Sequence, residues 1–266
     1  MMVWTLFKRN MRSSLKILIA LFAVISMYTA VIVYMYNPEL SEMLSGYQEV
    51  LPDMMAVVGM TGIATNILEW IQIYLYGFIM ILFPMIFGII VVNKLIMSYI
   101  DSGSMASLLS SPHSRTRIIL TQAVTSVFLM FILMAAVTLL GFFCSHAMFP
   151  GELDTARYIE LNASLLLMQF MNLGIGFTAA CFCSESRHFY LLGAGIPILF
   201  FLFQMLSNMG GSMEKLKYFT LYTLFPAEKI VQAGGDVWPR NLIMASIALA
   251  LFAAGILWFR RRDLSI

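Results

Sequence analysis

Apolar residues in this chain come in long blocks, with charged residues confined to the gaps between them. Six stretches carry no charged side chain: 17–38, 70–93, 118–151, 161–184, 188–213 and 241–259. The shortest, with 19 residues, would reach about 28 Å as a helix, close to the hydrocarbon thickness of a bilayer. In lipid every backbone N–H and C=O must be satisfied within the segment or within a closed barrel. Barrel strands would show short alternating segments, and these blocks do not. The pattern therefore predicts six transmembrane helices in a single all-α membrane domain over residues 1–266. Another charge-free run, Met54–Leu68, is shorter and holds several Gly and Thr. It is expected to be an interfacial or re-entrant piece outside the bilayer core.

The segments between the blocks fix the expected orientation. Six crossings put both termini on one side. That side holds Lys8, Arg9, Arg12, Lys16, Lys94, Arg115, Arg117, Arg187 and Arg260 to Arg262, which is 11 of the 16 basic residues, against only Asp101, Glu185 and Asp263. The opposite side holds 5 basic residues and 11 acids. The positive-inside rule places both termini in the cytoplasm. Trp4, Trp70, Trp238 and Trp258 fall at or near the predicted helix ends, where amphipathic rings favour the headgroup level. The first block lacks a small-residue cleavage site after it, so it is expected to be a retained helix and not a removed signal peptide.

Composition agrees with this class: 61% of residues are hydrophobic and 11% charged, against about 25% charged in soluble domains. Lipid is the expected surrounding partner. The net charge of +2 implies no nucleic-acid partner. Cys144, Cys181 and Cys183 lack Cys-x-x-Cys spacing, which leaves them small packing roles and no metal.

Several local features refine the map. Residues 1–16 place Trp4, Phe7 and Met11 on one helical face beside Lys8, Arg9 and Arg12. They form either an amphipathic pre-helix on the inner surface or an ordinary basic flank. Segment 37–69 is acidic, with Glu39, Glu42, Glu49, Asp53 and Glu69, and is punctuated by Pro38 and Pro52. It is expected to cap the outer face with short helices. The second span carries Pro84, which predicts a bend. The fourth pairs Gly174 with Thr178 and Gly176 with Ala180, a spacing that allows close helix approach. A second outer segment, 209–240, breaks the chain before the sixth span.

Candidate chemistry is sparse. His113, His146 and His188 are isolated, and no His-Glu-x-x-His or Gly-x-Ser-x-Gly occurs. The span centres hold amides, including Gln122, Gln169, Asn172 and Gln204, but no ionisable pair. An ion-coupled carrier or intramembrane protease normally needs such a pair. Energy for uphill transport would then come from another chain. The P-loop pattern Gly-x-x-x-x-Gly-Lys-Ser/Thr is missing, so that energy is not ATP bound through a P-loop in this one.

The inner loop 98–117 is the most informative stretch. Asp101 or Ser102 is placed to cap a short helix. Met105, Leu108 and Leu109 share one face at i, i+3 and i+4. Pro112 ends the helix, and Arg115 and Arg117 open the third span. From the residues alone this is either an amphipathic helix suited to a partner's groove or a solvated loop with an interfacial turn.

The run Asp101-Ser102-Gly103-Ser104 followed by Leu108-Leu109-Ser110-Ser111-Pro112-His113-Ser114-Arg115 resembles the loop motif of ABC-2 type permeases, the membrane subunits of bacterial ATP-binding-cassette exporters. The likeness extends over most of the chain: the basic start, Leu51-Pro52 in the acidic segment, six spans, the broken outer segment and the terminal Arg-Arg-Asp-Leu. Two positions depart from it. Tyr99 and Ile100 precede the single Asp101 where the family often has further acids, and Gln122 stands where a basic residue is common.

The resemblance implies an ABC-2, type V exporter-like, permease fold. It implies a separate ABC ATPase subunit that binds ATP and Mg, so that no cofactor belongs to this chain. It also implies a second permease subunit, identical or related, in the cell membrane. Asp101, Gly103, Ser104, Leu108, Leu109, Pro112, Ser114 and Arg115 become the expected ATPase-coupling residues, and no residue is expected to be catalytic. The expected cargo is a hydrophobic or amphipathic molecule moved outward. An ion-coupled carrier or a non-transporting scaffold is the alternative reading.

Overall fold

The computed structural model describes residues 2–37, 43, 51–60, 62–232, 234 and 236–262. Pro38, the acidic residues Glu39, Glu42 and Glu49, Gly235, and the terminal Asp263 and Leu264 lie outside the described residues. Among the described residues all regular structure is helical. Six helices are long and apolar enough to cross a membrane: α1 (Trp4–Tyr34), α2 (Ile79–Asp101), α3 (Arg115–Met148), α4 (Thr155–Phe182), α5 (Ser186–Asn208) and α6 (Trp238–Arg261). The number of spans is the one the charge-free blocks predict.

Helix α4 is the axis of the bundle. It is buried on nearly every side and packs most extensively on α6. Its small residues explain the closeness. A Cβ on Gly174 would sit 3.1 Å from the Leu251 side chain, and the Thr178 hydroxyl donates to the Leu251 carbonyl at 2.7 Å. Gly176 faces the Gly193 carbonyl of α5 instead, with a Cβ there at 3.6 Å. Gly174 with Thr178 thus faces α6 and Gly176 faces α5, the close packing that small residues allow in lipid.

Helix α1 corrects one expectation. The basic segment does not form a separate pre-helix: Trp4–Tyr34 runs unbroken for 31 residues. No Gly or Pro interrupts this stretch, so nothing in the sequence ends the helix before the span begins. At about 1.5 Å per residue it extends about 46 Å, well beyond the hydrocarbon core. One stripe of it, Leu6, Asn10, Ser14, Leu18, Ile25, Thr29 and Val33, is buried, and the helix packs chiefly on α3.

The second span is displaced along the chain. The helical segment Ile67–Ile71 and the π turn Gln72–Tyr76 come first, and the chain breaks at Gly77 and Phe78 before α2 begins. The break coincides with a backbone contact. A Cβ on Gly59 would lie 2.7 Å from the Gly77 Cα, and one on Gly77 would lie 2.8 Å from the Val58 carbonyl. Only glycine fits both positions, and Gly59 also has a φ of +76°. The short helix Pro52–Val57, started by its proline, leads into this contact. Ala64, Ile67 and Leu68 belong to the hydrophobic core. Trp70 is buried too and donates its indole N–H to the Ile32 carbonyl at 2.8 Å. It therefore anchors the segment before α2 to α1, whereas Trp4, Trp238 and Trp258 are exposed.

Lys94, which bounds the second charge-free block, lies inside α2, within a π turn over Asn93–Met97. Its ammonium reaches the Ser13 carbonyl of α1. The long apolar stem lets the charge leave the helix while the helix continues.

Candidate functional site: the loop at the termini end

Two contacts gather both chain ends and the 101–115 loop at one end of the bundle. The Val3 N–H donates to the Thr121 hydroxyl near the start of α3 at 2.9 Å. The Arg115 guanidinium donates to the Arg262 carbonyl just past α6 at 2.8 Å. The loop is well formed. Gly103 adopts a φ of +69°, which only glycine takes without strain, and so turns the chain from α2 into the helix Ser104–Leu109. Past the bend at Ser111, Pro112 and His113, Ser114 caps α3 by accepting the Arg117 N–H at 3.4 Å.

Neither Asp101 nor Ser102 caps the short helix; its N-cap position is Gly103, without a side-chain bond. Ser102 bonds back to the Ser98 carbonyl at 2.6 Å and pairs with the Ser104 hydroxyl at 2.7 Å. Asp101 turns to the first residue of α5: one carboxylate oxygen accepts the Ser186 N–H at 3.2 Å and the other accepts the Ser186 hydroxyl. A carboxylate at a helix N-terminus satisfies an orphan donor and complements the helix dipole. Ser186 also reaches Asn93 at 3.2 Å.

The apolar face of the loop helix points inward. Met105 is buried in the core and Leu108 packs against it; the Leu109 side chain is outside the described residues. For Met105 and Leu108 the periodicity matches a shared face but does not reveal its neighbour, which is this protein itself. Ser107, Ser110, Pro112, His113 and Ser114 form the exposed side.

Arg262, counted above only as a positive charge, organises the rest. Its guanidinium donates to the Cys181 and Cys183 carbonyls, each at 2.9 Å, and to the Ser184 hydroxyl at 2.6 Å. It thereby satisfies orphan carbonyls at the C-terminus of α4. Burial presses the Arg262 pKa below its usual value and raises that of the neighbouring Cys183 thiol, with Arg262 opposing the latter shift. Sequence gave little sign of this, because a run of three arginines at a span's end is explained by topology alone.

Beside this cluster Asn10 of α1 donates to Gln122 of α3 at 2.5 Å and accepts from the Tyr99 hydroxyl of α2 at 3.3 Å. Asn10 and Gln122 are both buried. Gln122 thus makes a neutral amide pair at the position where the resembled family commonly has a cation.

At the far end, segment 209–240 folds back over the bundle. Thr220 bonds the Phe200 carbonyl of α5 at 2.9 Å, and Arg157 of α4 bonds the Val231 carbonyl at 3.0 Å. Beneath it lies a cavity of about 410 Å³ with Gln72, Tyr76, Gln204, Asn208, Lys217 and Arg240 among its walls.

Five apolar helices around a buried sixth, with a fastened loop beside both termini, define a multi-pass helical membrane protein. The sequence profile of the family described as ABC-2 family transporter protein matches residues 2–264. The chain therefore belongs to that family, whose membrane domain is a transport subunit and not itself catalytic. None of the curated proteins compared with the chain matches it.

Proposed function

We propose that this chain is the permease subunit of an ABC exporter in the cell membrane, with both termini cytoplasmic. A separate P-loop ATPase binds ATP and Mg and docks on the exposed side of the 101–115 loop. A second permease subunit, identical or related, completes the pathway. The cargo is a hydrophobic or amphipathic molecule, in keeping with the apolar spans.

One observation carries this reading. The loop is a folded element whose outer side is exposed, and its two ends are bonded to the ends of α5 and α6. Such an element can receive force from a partner and pass it to the bundle. Closure of the ATPases would displace the loop and rock the helices between two arrangements, and segment 209–240 would limit back-flow over the far-end cavity. Asp101, Gly103, Ser104, Leu108, Pro112, Ser114 and Arg115 shape and fasten this element, and Leu109 lies on it.

The test is purification of the chain from its native membrane in mild detergent, with mass spectrometry of what accompanies it. A stoichiometric soluble protein bearing a P-loop supports the reading. Recovery of the chain alone, under conditions that preserve other such complexes, would favour an ion-coupled carrier.

A further inference from the structure

Both ends of the loop connect to the α4–α5 junction, Asp101 directly and Arg115 through Arg262. Asp101 holds Ser186 through two hydrogen bonds, to its N–H and its hydroxyl. Arg115 holds the Arg262 carbonyl, and Arg262 in turn holds the Cys181, Cys183 and Ser184 side of the turn. The two helices that leave this turn differ in how firmly they are seated. Helix α4 is enclosed by its neighbours, whereas α5 exposes Leu191, Ile198, Leu199, Leu202 and Leu206.

Helix α5 also has a built-in weak point. A π turn, Tyr190–Ala194, begins four residues after Ser186, followed by Gly195 and Pro197. Such turns are rare inside α-helices and frequently sit at functional sites. Beyond it the helix carries Gln204, Ser207 and Asn208 into the wall of the far-end cavity. The Gln204 side-chain oxygen is buried without a hydrogen-bond partner, while its amide nitrogen donates to Asn208 at 3.0 Å.

We infer that Ser186 and Arg262 are positioning residues for coupling: through them, displacement of the 101–115 loop moves α5 against a fixed α4 and reshapes the cavity wall at Gln204 and Asn208. This rests on the proposed permease reading. Arg262 clamps the α4 end, and Asp101 pulls the first turn of α5 through Ser186. The π turn and the two residues after it allow the outer half of α5 to respond without dislodging α4.

The experiment uses the complex as purified from its native membrane and placed in lipid nanodiscs. Backbone hydrogen exchange is measured without nucleotide and after trapping with ATP and vanadate. In the unaltered complex, amides of 186–195 and 204–225 should change their exchange rate several-fold on trapping. Ser186→Ala should still co-purify with the ATPase, and in both Ser186→Ala and Asp101→Asn the trapped-to-free ratio in these segments should fall to near one. Ser186→Thr, which keeps the hydroxyl, should restore the response. A merely structural role would alter exchange equally in both states and leave the ratio intact. A full nucleotide response in both Ser186→Ala and Asp101→Asn would overturn this inference and leave the permease reading standing. Absence of any ATPase from the unaltered preparation would overturn both.

Discussion

Gln169 of α4 supplies to α2 the hydrogen bond that Pro84 withholds. Proline has no N–H, so the carbonyl four residues earlier, that of Met80, loses its helical donor. The Gln169 side-chain amide lies 3.2 Å from that carbonyl and 3.0 Å from the next, of Ile81. Gln169 is fully buried, where an unsatisfied carbonyl has no water to turn to. Gln169→Ala should therefore lower stability by about 1–3 kcal/mol. In a Pro84→Ala background the loss should shrink, because Met80 regains a backbone donor. Thermal unfolding of the four proteins in one detergent closes the cycle. Equal losses in both backgrounds would separate the two residues.

The Gly59–Gly77 contact makes a second prediction. Alanine at either position drives a methyl into backbone that has no rotamer to yield. Each change should cost about 1–3 kcal/mol, with Gly59→Ala the worse because of its positive φ. The double substitution should cost less than the sum, since one contact is lost twice. Gly195→Ala is the control: a Cβ there meets its nearest atom at 3.6 Å, and alanine favours a helix. Its unfolding temperature should stay or rise.

A third prediction concerns Asn162. Its side-chain oxygen accepts the Tyr76 and Thr138 hydroxyls, each at 2.8 Å, and its nitrogen donates to the Tyr158 carbonyl at 2.8 Å. One side chain thus ties the π turn before α2 to α3 and α4. Asn162→Ala leaves the buried Tyr76 hydroxyl without this acceptor and should cost about 2 kcal/mol, against about 1 kcal/mol for Thr138→Val, which removes a single donor. Thermal melts of the two variants give the comparison, and a smaller loss in Asn162→Ala would contradict the network.

Cys183 gives the pH prediction. Burial raises its thiol pKa, and the nearby Arg262 charge only partly opposes this. A raised pKa means less thiolate at any given pH, and the thiolate is the form that reacts. Alkylation of Cys183 by iodoacetamide should be slow at neutral pH. It should still be rising with pH beyond the range where an ordinary thiol has levelled off. A plateau at or below the ordinary thiol range, read by mass spectrometry, would contradict the burial.

Much of the architecture was legible in the sequence. Charge-free length identified six spans, and Gly174 with Thr178 marked a real close approach. What escaped has physical reasons. A hydropathy window cannot see that Gly77 breaks a helix because Gly59, eighteen positions earlier, touches it. Lys94 looked like a boundary because a charge count ignores the reach of its stem. The period of Met105 and Leu108 shows that they share a face, but not that the face meets the protein's own core. Asp101 and Arg115 stand out in the loop's sequence, yet their partners Ser186 and Arg262 lie 85 and 147 positions away, beyond any local pattern.

The inward face of the loop changes how coupling must be probed. Leu108→Asp would place a charge against the core and loosen the loop itself. Ser107 is exposed on the outer side, so Ser107→Asp should leave the unfolding temperature unchanged and weaken co-purification of the ATPase. Retention of the full amount of ATPase would place the docking surface elsewhere.

The most direct measurement is photo-crosslinking from the loop in intact membranes. A photoreactive phenylalanine derivative replaces Ser107, and in a parallel protein it replaces Ser212, which is exposed at the far end. The account predicts that position 107 captures a soluble protein with a P-loop and that position 212 does not. Failure of position 107 to capture a P-loop protein, or equal capture from both positions, would contradict the claim that this loop is where the energy enters.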